Sequence, residues 1–242
     1  MKITLDEAAK IIGDAQTIIL TSHIRPDGDS IGSTLGLMHY LRAQGKDARV
    51  LIDDDLPRIF KVLPGLEMIE RPAEGVRYTA DLLIVCDVEL KRTGNVVSSV
   101  DAVRVLNIDH HVTNDEEAEY LYLNPDYAAT CEIMHDLIGA MGGTFSLDVA
   151  TCLYTGMATD TGFFRFSNTT PHTMRAAADL IEVGVKPNII SVAMELKSYD
   201  EVMAQVRAIR NLEMFHDGKV AAVFIDEEKA KEVTTTEGLL DK

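Results

Sequence analysis

Val103-Arg-Val-Leu-Asn-Ile-Asp109-His110-His111 is an apolar run that stops on an acid and two imidazoles. A short stretch rich in β-branched and aliphatic residues predicts a buried strand. The same pattern recurs on working outward. Thr17-Ile-Ile-Leu-Thr-Ser22 runs into His23-Ile-Arg-Pro-Asp27-Gly-Asp29-Ser30, and Asp81-Leu-Leu-Ile-Val-Cys86 runs into Asp87. Asp47-Ala-Arg-Val-Leu-Ile52 is a further strand, followed by Asp53-Asp54-Asp55, which reads as a solvated turn. Between strands the spacing predicts helices. One opens near Asp29 or Ser30 as N-cap and runs through Leu35, Leu37, Met38 and Leu41 to Gly45. Others cover Ala128–Met141, Leu147–Thr159, Pro171–Gly184 and Asn188–Leu196. Strands separated by helices make the fold class α/β, a parallel sheet flanked by helices.

The organisation beyond that sheet is read from period. A catalytic domain is expected over residues 1–190, followed by a connector helix over 191–215. In the stretch Tyr199–Phe215 apolar residues fall at Val202, Val206, Ile209, Leu212 and Met214, close to helical spacing. Lys219-Val-Ala-Ala-Val-Phe-Ile225 then reads as a strand. Residues 216–242 are taken as the start of a second, smaller α/β domain, incomplete because one strand and a short helix cannot bury a core.

Composition narrows the partners. Among 242 residues, 39 are acidic and 23 basic, a net charge of −16. A protein gripping long duplex nucleic acid neutralises many phosphates with Lys and Arg, so that partner is excluded here. Small anionic substrates fit, because bound divalent ions reverse the field locally. Mean hydropathy is +0.03, and no apolar run reaches bilayer length, so no membrane partner is expected. Met1-Lys-Ile-Thr-Leu-Asp-Glu carries charge where a signal peptide needs an apolar stretch. Cys86, Cys131 and Cys152 are odd in number and form no CxxC pair, as expected of buried thiols in the cytoplasm. The unpaired edge of the second domain leaves room for a homodimer.

The chemistry follows from where the polar residues fall. Beyond the carboxyl ends of parallel strands, loops distant in sequence converge on one crevice. His23, Asp27, Asp29, Asp87, Asp109, His110 and His111 all lie in such loops, and Asp160 ends a rather apolar helix. Imidazoles and carboxylates in this number suit two divalent ions, which activate water against a phosphate ester. Taken singly, each acid is an ordinary turn or cap residue; the joint pattern carries the reading. Arg165 is close enough in sequence to reach a phosphate. His39, His135, His172 and His216 have no comparable company and read as structural or surface residues.

At this point the chain resembles the DHH phosphoesterase superfamily. Four motifs carry the likeness: His23-Ile-Arg-Pro-Asp27-Gly-Asp29-Ser30, Asp87, Asp109-His110-His111, and Asp160 within Ala-Thr-Asp-Thr-Gly. Phe164-Arg165-Phe166 suits the branch of nanoRNases (oligoribonucleases) and phosphoadenosine-phosphate phosphatases. The likeness covers about residues 1–190. It implies that His23, Asp27 and Asp87 hold one metal and that Asp29, Asp87, His110 and Asp160 hold the other, with Asp87 bridging. It implies catalytic roles for His111, on the scissile phosphate, and for Asp109, which orients its neighbours. Ser30, His111 and Arg165 are the expected substrate contacts. The usual ion is manganese, with magnesium, cobalt or iron as substitutes. The implied substrates are short oligonucleotides or small nucleotide phosphates; a cyclic-dinucleotide phosphodiesterase and a non-catalytic nucleotide-binding module are the alternatives. Family members carry a second domain with a Gly-Gly-Gly-His-like motif, which this sequence lacks.

Overall fold

Aliphatic side chains on both faces of short strands drive the central sheet of the computed structural model, which describes residues 1–225. Its strands are β1 (Thr17–Thr21), β2 (Asp47–Leu51), β3 (Ile69–Glu70), β4 (Tyr78–Cys86), β5 (Val100–Asp109) and β6 (Tyr120–Leu123). They lie in the order β3-β2-β1-β4-β5-β6, and every neighbouring pair is parallel. From β1 the chain moves outward through β2 and β3, then returns to place β4 on the other side of β1. Connections from β1 and β4 therefore leave in opposite directions, and a crevice opens beyond their carboxyl ends.

The two faces are unequal. Ile18, Leu20, Leu82 and Ile84 join the larger core, whereas Ile19, Leu83, Val85, Val96 and Val100 form a smaller one on the opposite face. Of the helices in residues 1–194, α1 (Leu5–Asp14), α2 (Gly28–Ala43), α4 (Thr130–Ala140), α5 (Leu147–Asp160), α6 (Pro171–Val183) and α7 (Pro187–Glu195) contribute to the larger core, and only α3 (Val96–Ser99) contributes to the smaller. The first half of β5 departs from the expected burial. Val103 there is exposed, and continuous burial begins at Leu106.

Helix α2 is buried almost all round, and its glycines explain how. A Cβ on Gly32 would come 2.6 Å from the Cys152 carbonyl oxygen of α5. On Gly156 of α5 it would meet Cys131 Sγ at 2.2 Å and Asp29 Oδ1 at 2.8 Å. Backbones this close fix the start of α2 beside the middle of α5, and any larger residue would force them apart. The cap of α2 differs from expectation. Asp27, not Asp29 or Ser30, is the N-cap: its carboxylate accepts the N–H groups of Asp29 and Ser30, and the Ser30 hydroxyl accepts the Asp27 N–H. This reciprocal box releases Asp29 to point away from the helix.

A second compact unit begins at Glu195. The expected continuous connector is not continuous: α7 ends at Glu195, and Ser198 caps a new helix, α8 (Tyr199–Arg210), through a box with Glu201. Nor does the helix reach Phe215. Leu212–Phe215 is a strand, β7, paired antiparallel with β8 (Val220–Val223). His216, Asp217 and Gly218 all take positive φ and turn the chain back, so the period of two at Leu212 and Met214 prevails over the helical spacing. The expected second domain over 216–242 lies partly outside the described residues.

Candidate metal centre

The loop after β1 is held before any ligand is considered. Asp54 accepts the Arg25 N–H at 2.8 Å, so one of the three turn aspartates braces the loop where Arg25 takes a φ of 57°. His23 Nδ1 lies 2.9 Å from the Ile24 carbonyl, which can only accept, so Nδ1 carries a proton and Nε2 is the nitrogen whose lone pair a cation would take. That nitrogen is 3.7 Å from Asp27 Oδ1 and 3.6 Å from Asp87 Oδ2. Asp87, immediately after β4, adopts φ 65°, a left-handed conformation that turns its buried carboxylate into the crevice.

His110 makes the matching arrangement on the other side. Its Nδ1 is 3.2 Å from the Tyr127 carbonyl, so Nδ1 donates there and Nε2 is again the free lone pair. Buried and without a hydrogen-bond partner, Nε2 faces Asp160 Oδ2 at 3.4 Å, Asp87 Oδ1 at 3.5 Å and Asp29 Oδ2 at 3.8 Å. Asp29 is aimed by the start of α4: Thr130 N–H donates to Oδ2 at 2.6 Å and Cys131 N–H to Oδ1 at 2.8 Å. The Thr130 hydroxyl donates to Asp87 Oδ1 at 2.9 Å.

His111 faces a different partner. Its Nδ1 donates to Asp109 Oδ1 at 2.8 Å, and its side chain is 47% exposed, so Nε2 is the end open to a ligand. The same carboxylate oxygen accepts the N–H groups of His110 and His111. Asp109 Oδ2 accepts Asn114 Nδ2 at 2.6 Å, and that amide also donates to Asn107.

Ligand atoms thus gather in three overlapping groups, His23/Asp27/Asp87, Asp29/His110/Asp160 and Asp87/His110/His111, the atoms of each within 4.8 Å of one another. Asp87 belongs to two of the groups that the sequence had kept in separate loops. Electrostatics reflect the crowding. Burial first, then the Asp29 charge, hold the Asp87 carboxyl well above the usual carboxylate range. Burial, with Asp29 and Asp27 nearby, pushes Asp160 up to about 8. For His23 burial is the largest influence and opposes the charged ring, but Asp27 and Asp87 outweigh it and raise the imidazole to about 10. Carboxylates that repel each other in a cleft with no Lys or Arg paired to them among the described residues fit a divalent cation. The orphaned lone pair of His110 fits one too.

Two other expected residues are engaged by local hydrogen bonds. The Ser30 hydroxyl is fully buried and engaged with the Asp27 backbone. Arg165 is exposed, its Nε donating to the Gly162 carbonyl of its own loop at 2.6 Å. Asn107, Asn114, Tyr127 and Thr130 support the cluster and went unnoticed in the sequence. The spacing Asn107-x-Asp109-His-His-x2-Asn114 was the one local signal for the first two.

A parallel sheet with acids and imidazoles gathered at its switch point defines an α/β domain with a candidate dinuclear centre. The chain belongs to the DHH family, whose N-terminal domain matches residues 17–157. It is 39% identical over 191 residues to the bifunctional oligoribonuclease and PAP phosphatase NrnA of Thermus thermophilus, covering 78% of this chain and 57% of that protein. To the Bacillus subtilis protein of the same description it is 25% identical over 233 residues, covering 95% of this chain and 73% of that one. The crystal structure of an exopolyphosphatase-related protein from Bacteroides fragilis superposes with a TM-score of 0.84 at 27% identity, over 95% of this chain and 71% of that one. The chain thus spans little more than half the length of its Thermus relative.

Proposed function

We propose that the chain is a metal-dependent phosphoesterase that hydrolyses short oligonucleotides, phosphoadenosine phosphate or both to mononucleotides. The observation that carries this reading is His110 Nε2, a buried lone pair with no hydrogen-bond partner and carboxylate oxygens of Asp160, Asp87 and Asp29 within 3.8 Å. His23, Asp27 and Asp87 would hold one ion, and Asp29, Asp87, His110 and Asp160 the other. Manganese suits this imidazole and carboxylate set. When bound, a pair of such ions supplies water of lowered pKa and positive charge facing the phosphoryl oxygens.

The chain's own groups do the remaining work. Asp109 holds the His111 proton on Nδ1 and, by that hydrogen bond, raises the ring's pKa. His111 can then present an Nε2–H donor to a non-bridging phosphate oxygen, where negative charge grows. Thr130, Cys131 and Tyr127 orient Asp29 and His110 through the bonds described above, so that those ligands need not reorganise. Arg165 is proposed as a contact for a second phosphate. The description of the Thermus and Bacillus relatives, oligoribonuclease and PAP phosphatase, supports this substrate class. No helix among the described residues is long and apolar enough to cross a membrane. Three buried free cysteines support a cytoplasmic location.

The test is a hydrolysis panel with Mn2+: phosphoadenosine phosphate, dinucleotides to pentanucleotides, cyclic dinucleotides and pyrophosphate. Mononucleotide release from the first two classes is expected. Turnover of cyclic dinucleotides or pyrophosphate alone would overturn the reading.

A further inference from the structure

We infer that Asn107 and Asn114 form a positioning relay that ties the turn at Asp87 to the Asp109–His111 pair. The inference rests on the proposed metal centre. Asn107 is fully buried in β5 and Asn114 is 8% exposed. Asn107 Nδ2 donates to the Val85 carbonyl at 2.9 Å and to the Val88 carbonyl at 2.8 Å. Those carbonyls lie on either side of Asp87, whose φ of 65° is uncommon for a residue other than glycine. One side-chain amide therefore closes the turn that aims the shared carboxylate.

The relay continues from the other end of the same amide. Asn107 Oδ1 accepts Asn114 Nδ2 at 2.8 Å, and the second hydrogen of that Nδ2 goes to Asp109 Oδ2 at 2.6 Å. Asp109 Oδ1 in turn receives His111 Nδ1. The amide orientations are fixed by chemistry, because carbonyls and a carboxylate can only accept. All four amide hydrogens have partners, and Asn114 Oδ1 accepts the Glu116 N–H at 2.9 Å. A fully satisfied buried network holds its members in one geometry, while a broken one leaves donors and acceptors stranded. A packing role needs none of this directionality. The relay gives the bridging ligand and the phosphate-facing histidine a common support, although Asp87 and His111 follow different strands.

Two measurements on the metal-free wild-type chain come first, read by NMR. The side-chain amide hydrogens of Asn107 and Asn114 and the Nδ1 hydrogen of His111 should exchange slowly with solvent. Exchange as fast as that of exposed amides would mean there is no relay. Asn114→Ala, or Asn114→Ser if the first does not fold, should then expose the His111 Nδ1 hydrogen to exchange. The ring signals of His39, whose Nε2 lies 2.9 Å from the Pro64 carbonyl, should stay where they are. Asn107→Ser should weaken Mn2+ binding by calorimetry about 10- to 100-fold, the loss usual for an outer-shell partner. Unchanged His111 exchange together with Mn2+ affinity within about twofold of wild type would assign both asparagines to packing. Activity provides a last check. Asn114→Ala should lower kcat at least about tenfold in the wild type and by less than about twofold in a His111→Ala background, since it acts through that ring. Equal losses in the two backgrounds would overturn the coupling. If no phosphoester is hydrolysed at all, the functional reading falls, and the exchange and Mn2+ measurements still decide the relay.

Discussion

Strand β4 carries the same functional group near both of its ends, in opposite surroundings. Toward its start, Asp81 accepts the N–H groups of Gln16 at 2.9 Å and Thr17 at 2.8 Å. Those bonds hold its carboxyl below the usual range. On the neighbouring strand Asp101 pairs with Arg77, which lowers its carboxyl likewise. Beyond the far end of β4, Asp87 meets Asp29, Asp160 and Asp27, and its carboxyl is raised. The first environment answers each charge with donors and stabilises the fold. The second leaves like charges facing one another, which costs stability unless a cation occupies the gap. The sheet thus separates the end that secures the fold from the end that uses its charges.

The contrast is broken most severely at Asp87. Asp87→Asn keeps the shape and the acceptor for the Thr130 hydroxyl but removes the shared charge. We expect loss of both Mn2+ ions and a fall in activity well beyond the roughly hundredfold typical of an outer-shell change. The metal-free variant should melt no lower than the wild type, because the folded wild type has to hold a proton on that buried carboxyl and the amide does not. Retention of two ions per chain by metal analysis would refute the bridging assignment. His111→Ala comes next. It should keep both ions yet lose on the order of a hundredfold in kcat, the effect of removing one donor to a developing oxyanion. Metal loss in that variant would make His111 a ligand rather than a phosphate contact.

A smaller effect, graded with pH, sharpens the same contrast. Asp160, raised to about 8 by burial and by Asp29 and Asp27, binds more protons in the folded metal-free chain than when unfolded. Stability then falls as pH rises between about 4 and about 8, and Asp87 acts with the same sign. His23 is raised to about 10 despite burial, through Asp27 and Asp87, so its contribution is complete below about pH 6.5 and is lost as pH climbs through about 10. Asp27 is lowered to about 2 because His23 and Ser30 outweigh its burial; its contribution is lost only as pH falls from about 4 through 2. Over pH 6 to 9 the metal-free melting temperature should therefore decline. Bound ions displace the protons on Asp87 and Asp160, so the Mn2+-induced rise in melting temperature should grow over that range. A Mn2+ shift that shrinks with rising pH would contradict the crowded-carboxylate picture.

The buried strands and long helices could be read in the sequence because their burial is periodic. The elements it concealed are short or mixed in period. Strand β3 has two residues, and β6 has four after an acidic segment. Helix α1 opens on the Thr4–Glu7 box and buries Ala8 and Ile12 one turn apart, but with only those two side chains fully buried its period is faint among the charges. The residues gathered at the crevice stood out because each ends a strand or helix and carries an acid or imidazole. Their supports did not stand out. Tyr127 acts through a carbonyl, Thr130 and Cys131 through backbone N–H groups, and Cys131 meets Asp29 across 102 residues. Every residue carries a main-chain carbonyl and all but proline an N–H, whatever the side chain, so no local pattern marks these groups. The N-cap of α2 was hidden for a related reason: Asp27, Asp29 and Ser30 are all good caps by type, and only the backbone shows that Asp27 takes that place while its Oδ1 also lies 3.7 Å from His23 Nε2.

The smallest expected effect lies at the opposite end of β4. Asp81→Ala removes the acceptor for two backbone N–H groups at the start of β1 but leaves in place the bond from the N–H of residue 81 to the Thr17 hydroxyl, 2.9 Å in the wild type. Water can reach these groups, so the stranded donors are partly re-satisfied and the melting temperature should drop only slightly. Because backbone N–H groups lower the Asp81 pKa, the variant should differ from wild type most near neutral pH, and the difference should fade only as the pH falls from about 4 through that lowered pKa, where the wild-type carboxyl is protonated in the folded chain too. Strand β1 leads directly to His23, so the comparison between the two ends of the sheet can fail here. If β1 transmits the disturbance, Mn2+ affinity or kcat will fall along with stability. If the two ends act independently, as their separate bonding patterns indicate, both will match wild type while the melting temperature alone shifts. Calorimetric Mn2+ titration beside thermal unfolding of the same variant distinguishes the two.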